Sequence, residues 1–131
     1  MRVPLLFILL SFFISGLINA QENQTNIHDS ILFEKTSYNY GTIQQGSGGE
    51  CEFKFVNKGK NPVILSNVVA SCGCTTPDWT KTPIKPNESG IIKVKYNTAI
   101  LGHFNKTVTV YSNAVNSTVV LQISGEVVQK Q

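Results

Sequence analysis

The feature that most constrains this chain is a two-residue alternation of apolar and polar side chains that recurs along residues 51–128. In CEFKFVN, Cys51, Phe53 and Phe55 alternate with Glu52 and Lys54. IIKVKYN sets Ile92, Val94 and Tyr96 against Ile91, Lys93 and Lys95. NKTVTVYS puts Val108 and Val110 on one face, with Thr107, Thr109 and Tyr111 on the other. STVVLQISGEVV places Val119, Leu121, Ile123 and Val127 opposite Thr118, Gln122, Ser124 and Glu126. Side chains of an extended strand point to opposite faces in turn, so each segment offers one face to a core and one to water. Turn chemistry separates the segments: QQGSGGE before Cys51, NKGKNP after it, KPNESG before Ile91 and YSNAVNS between the last two. No window after the N-terminal run has a helical period. Roughly seven short strands in about 100 residues predict an all-β fold, a single immunoglobulin-like antiparallel β-sandwich over residues 31–128 with a tail at 129–131. The inter-sheet disulfide and buried tryptophan of antibody domains are not legible. Cys51 falls on the second strand in this reading, and the strand facing it, residues 106–111, has no cysteine.

The first twenty residues, MRVPLLFILLSFFISGLINA, form a separate unit. One basic residue, Arg2, precedes an uncharged apolar run that ends at the small residue Ala20. That layout predicts a secretory signal peptide over 1–20, cut between Ala20 and Gln21. Residues 21–30, QENQTNIHDS, are polar and aperiodic and read as a disordered leader. The expectation is an exported protein, periplasmic or secreted, with no membrane span after cleavage. The mature chain then holds ten lysines against eight acids, a net charge of +2. The lysines are scattered, so no nucleic-acid partner is implied.

Three cysteines remain, and an oxidising compartment permits a disulfide between two of them. ASCGCTTPDW brings Cys72 and Cys74 within two residues, flanking Gly73. On a fully extended strand their Cα atoms would stand about 6.6–6.8 Å apart, near the upper limit for a bridge. A turn at Gly73 would close that gap. Three readings stay open: a structural corner with the sulfurs packed beneath a TTPDW loop and Trp79 as an apolar lid, a disulfide or redox pair, and a soft-metal site for copper or zinc. A closed zinc site needs four ligands. Beyond the pair, the mature chain offers only Cys51, His28 and His103. His28 sits in the leader, His103 reads as a solvated loop residue, and Cys51 as a small buried hydrophobe. The structural-corner reading is preferred, and no metal or other cofactor is predicted.

No paired acids, Ser-His-Asp set or phosphate loop can be assembled, and no enzyme activity is predicted. Asp78 beside Trp79 reads as ordinary loop. Sequons at Asn23, Asn87, Asn105 and Asn116 matter only in a host that glycosylates exported proteins.

The runs YGTIQQG, FVNKGKNPVIL, SCGCTTPDW, PIKPNESG and GEVV, in that order, resemble the bacterial domain-of-unknown-function family 1573. The resemblance covers residues 33–128, and Ser-Cys-Gly-Cys-Thr at 71–75 is its most specific element. The chain departs from the pattern at Asn87, where the turn often carries glycine, and in adding Cys51. That family resembles the immunoglobulin-like domains related to PapD chaperones and major sperm proteins. The resemblance implies export and an immunoglobulin-like fold, with Gly41, Gly73 and Pro86 as structural turn residues, but carries no settled activity. The functional expectation is therefore a monomeric, non-catalytic binding or structural module. Its unidentified protein partner would be taken by strand addition at a sheet edge. A thiol module centred on Cys72 and Cys74 is the alternative.

Overall fold

The computed structural model describes residues 30–131. The predicted signal peptide, its predicted cleavage between Ala20 and Gln21, and the predicted leader with Asn23 and His28 up to residue 29 lie outside the described residues. Eight strands follow: β1 (Ile31–Phe33), β2 (Ser37–Gln44), β3 (Glu50–Asn57), β4 (Leu65–Ala70), β5 (Thr75–Trp79), β6 (Ser89–Tyr96), β7 (Gly102–Ser112) and β8 (Thr118–Val128). They form two four-stranded sheets, β1-β3-β6-β5 and β2-β8-β7-β4.

The alternation sets the core. Phe53, Phe55, Ile92 and Val94 from one sheet meet Val108, Val110, Leu121 and Ile123 from the other, all essentially removed from water. Each such side chain contributes about 1.5–3 kcal/mol by burial. Phe55 lies over Gly90, its register partner on β6, and its ring centroid is 5.1 Å from that of Phe33. At one end Tyr96 of the first sheet stacks on Phe104 of the second, with centroids 3.7 Å apart. Tyr40 packs on Phe104 and its hydroxyl donates to the Gly49 carbonyl at 2.7 Å.

Polar residues fix the connections. Asn57 is fully buried, donates to the carbonyls of Asn61 and Ile84 at 2.8 and 2.9 Å, and accepts from the Gly59 amide at 2.8 Å. It thereby anchors the NKGKNP turn to the Val63–Ile84 bridge. In KPNESG the Glu88 amide donates to the Lys85 carbonyl at 3.0 Å, and Asn87 takes φ 65°. A turn with Pro86 second and a left-handed third residue requires glycine or asparagine there.

The sandwich differs from the sequence expectation in three ways. It has eight strands, and Cys51 lies on the third. The sheets are not purely antiparallel, since β2 runs parallel to β8. The chain leaves β1 and crosses between sheets through residues 34–36 into β2, whose parallel partner is the last strand. TTPDW is strand β5, paired to β6 from Thr75↔Tyr96 to Trp79↔Ile92, and not a loop.

Candidate functional site

Residues 71–74 form the corner at which the chain passes from β4, an edge of one sheet, to β5, an edge of the other. The Ser71 amide donates to the Thr107 carbonyl at 2.9 Å, which holds the corner to β7. Cys72 and Cys74 are joined by a disulfide across a Cα separation of 5.3 Å. The chain is bent there rather than extended. Gly73 does not enter the left-handed region, and a Cβ on it would meet nothing within 4 Å. The bend therefore does not need the special freedom of glycine. Both cysteines are half-buried, and Cys74 packs against the core. Bonded to each other, the sulfurs offer no thiolate to a metal.

The Thr75 hydroxyl lies 3.8 Å from both sulfurs, and Thr75 is only 4 % exposed. The Thr107 amide in turn donates to the Ser71 hydroxyl at 3.1 Å, a second tie to β7. Trp79 is not a lid on the sulfurs. It ends β5 four residues beyond Thr75, about 13 Å away at the rise of a strand. The Lys81 ammonium sits 2.9 Å from its ring centroid instead.

The other sequence candidates are not gathered here. Cys51 is a free, buried thiol paired across to Val94. Burial pushes it above the ordinary thiol range, against the lowering influence of the Tyr40 hydroxyl. Burial likewise pushes the Tyr40 phenol well up, helped by its contact with Cys51. His103 is exposed at the start of β7, 3.6 Å from Glu126. Among the described residues no three His, Cys, Asp or Glu side chains converge as metal ligands. Gly41 takes φ 67° at the register shift of β2. Asn116 is occupied, its side chain bonded to both the amide and the carbonyl of Ile31 at 2.9 and 2.8 Å.

A cross-link spanning three residues restricts the unfolded chain by only about 1.6 kcal/mol in the loop-entropy picture, against about 4.7 for a 100-residue loop. The disulfide is a local lock and not a staple of the fold.

The two outer faces differ. On the first sheet, Glu50–Lys95–Thr76 and Glu52–Lys93–Asp78 make two charged rows around a shallow groove of about 470 Å³. On the second, the neighbouring rows Val69–Thr109–Val120 and Asn67–Tyr111–Thr118 carry no charge.

Edge strands expose unpaired backbone, and this chain caps part of it on three of its four. On β5 the outward residues are Thr75, Pro77 and Trp79. The Thr75 amide donates to the Cys72 carbonyl, Pro77 has no amide hydrogen, and the Trp79 amide is taken by the Asp78 carboxylate at 2.9 Å. On β4 the outward Val68 amide is taken by Asn67 at 2.9 Å. On β1 the outward Ile31 is capped by Asn116. β2 differs. The Thr36 carbonyl and the Gln45 amide bond to β8, so alternation turns Ser37, Asn39, Thr42 and Gln44 outward. Among the described residues nothing bonds the outward backbone of Ser37 or Asn39. SYNYGTIQ has neither charge nor proline.

These features define an immunoglobulin-like β-sandwich. The chain belongs to the protein family of unknown function DUF1573, whose model matches residues 31–127. Among solved structures it is similar to the ASH/PapD-like domain 7 of human CEP192, with TM-score 0.66, 10% identity, 80% of this chain and 89% of that chain covered. It is also similar to a protein of unknown function from Porphyromonas gingivalis W83, with TM-score 0.68, 15% identity, 82% of this chain and 51% of that one. A third likeness is the CsuC–CsuE chaperone–tip adhesion subunit pre-assembly complex of Acinetobacter baumannii, with TM-score 0.52, 9% identity, and 74% and 56% covered. No curated protein matches this chain.

Proposed function

We propose that this protein is an exported, non-catalytic binding module that takes an extended segment of a partner protein as an added strand beside β2. The observation that carries the reading is the treatment of edges: β1, β4 and β5 each carry a cap on outward backbone, at Ile31, Val68 and Trp79, whereas Ser37 and Asn39 keep outward backbone groups unbonded. Backbone pairing supplies affinity in strand addition, and alternate side chains supply specificity. Beside Ser37 and Asn39 the neighbouring β8 positions are the uncharged Gln122 and Ser124, and the charge lies further along the edge, at Glu126 opposite Thr42. Export is supported by the apolar N-terminal run and by a disulfide that needs an oxidising compartment. The fold is shared with the CsuC–CsuE chaperone–tip adhesion subunit complex of chaperone-usher Csu pili and with the YadV chaperone.

The test places a photo-cross-linker at Ser37 in the exporting host and follows amide hydrogen exchange of the captured complex. The expected result is one discrete partner that protects the Ser37 and Asn39 amides and leaves β5 unchanged. The variant Ser37→Pro removes an outward amide without touching the β8 ladder, and should abolish capture. Protection confined to β4 or β5, or capture unaffected by Ser37→Pro, would sink the reading. Self-association through β2 would show as a dimer in sedimentation and would replace the foreign partner with a second copy.

A further inference from the structure

We propose that Cys72–Cys74 is a thiol–disulfide exchange site for an exported dithiol protein, with the buried Thr75 hydroxyl positioned to receive the departing thiolate. Three observations converge on the corner. The disulfide is half-exposed at a junction between two edge strands, and open space surrounds Gly73 between its halves. The Thr75 side chain is 4 % exposed, and among the described residues its hydroxyl has only the two sulfurs as partners, each at 3.8 Å. A buried hydroxyl committed to sulfur is an unusual use of a polar group, and it stabilises sulfur most when the sulfur is charged. The corner is also fixed to β7, where Thr107 bonds both the amide and the hydroxyl of Ser71.

The asymmetry of burial sets the direction. Cys74 packs against the core and Cys72 does not, so the incoming thiolate attacks the Cys72 sulfur. A bond forms between the partner sulfur and Cys72 while the Cys72–Cys74 bond breaks. The electron pair leaves on the Cys74 sulfur, where the Thr75 hydroxyl donates to it. The partner's second thiol, as thiolate, then attacks its own sulfur in the mixed disulfide and releases Cys72. The partner is oxidised to a disulfide, one proton of its thiols ends on Cys72, the other goes to solvent while Cys74 stays a thiolate on the Thr75 hydroxyl, and atoms and electrons balance. Stabilising the reduced form makes such a pair a better oxidant.

The experiment uses the exported chain with dithiothreitol as the probe dithiol and glutathione as the trap. The bond is quantified by alkylation and intact mass, and folding by near-ultraviolet circular dichroism. The bond is expected to open in the folded protein while Cys51 stays unreactive. In Thr75→Val the equilibrium constant for opening should fall about tenfold, the scale of one hydrogen bond to a charged group. Thr75→Ser, which keeps the hydroxyl, should restore it. In Cys74→Ser the remaining Cys72 should form a mixed disulfide with glutathione far faster than Cys74 does in Cys72→Ser. A bond that opens only as the protein unfolds would overturn the proposal. So would Thr75→Val behaving as the parent, or Cys74 proving the more reactive thiol.

Discussion

Replacing Gly90 with alanine tests how the core is packed against its own backbone. A Cβ built on Gly90 falls 2.3 Å from Phe55 Cζ, 2.7 Å from Cε1 and 3.0 Å from Cε2. Carbon atoms in contact prefer about 3.5–4.0 Å, so the ring would have to retreat by more than an ångström. Phe55 has no room to do so, being fully buried with Phe33 against it at 5.1 Å. Overpacking of this kind costs about 1–3 kcal/mol. Removing glycine from a strand returns roughly 0.5–1 kcal/mol. The expected net loss is about 1–2 kcal/mol, which for a domain of this size lowers Tm by roughly 4–16 °C. Urea unfolding with a fixed m-value measures it directly. Shortening the clashing ring in Gly90→Ala/Phe55→Leu should cost less than the sum of the two single changes. Gly73→Ala, with open space and an ordinary φ, is the control and should stay within about 0.5 kcal/mol of the parent. A Gly90→Ala protein as stable as the parent, or more so, would refute the reasoning.

Two other outcomes follow from the same geometry. Asn116→Ala strips the Ile31 amide and carbonyl of their partners and uncovers the β1 edge, so it should lose about 1–3 kcal/mol in chemical unfolding and aggregate more readily. The buried Cys51 and Tyr40 are raised above their ordinary values of 9.0 and 10.0, so above those values the unfolded chain loses protons that the folded one keeps. Their contribution to stability is therefore intact below about pH 8 and falls above pH 9 by up to about 1.4 kcal/mol per pH unit for each group. Thermal unfolding between about pH 7 and 11 should show the decline, and Cys51→Val should remove the earlier part of it.

The sequence by itself determined the class of fold and the inward face of its longest strands. Phe53 and Phe55, Ile92 and Val94, Val108 and Val110, and Leu121 and Ile123 were assigned to the core by alternation alone, and each is buried. That signal works because a half-buried strand must separate its apolar and polar side chains at every second residue. It fails where burial does not alternate. β2 is exposed along most of its length, so SYNYGTIQ read as a motif before a strand rather than a strand, and its parallel partner lies at the far end of the chain. TTPDW reads as a loop because Pro77 and Asp78 are turn residues in isolation. At an edge they do different work, one lacking the outward amide and the other covering its neighbour's. The Cys-Gly-Cys run was conspicuous from the first reading, but its surroundings were not. Thr75 sits next to it in sequence, yet only the crossing from β4 to β5 buries that hydroxyl against both sulfurs. Periodicity is a local property written into each strand, whereas which edges stay open, and what stands beside a reactive group, depend on segments that meet only when the sheets form.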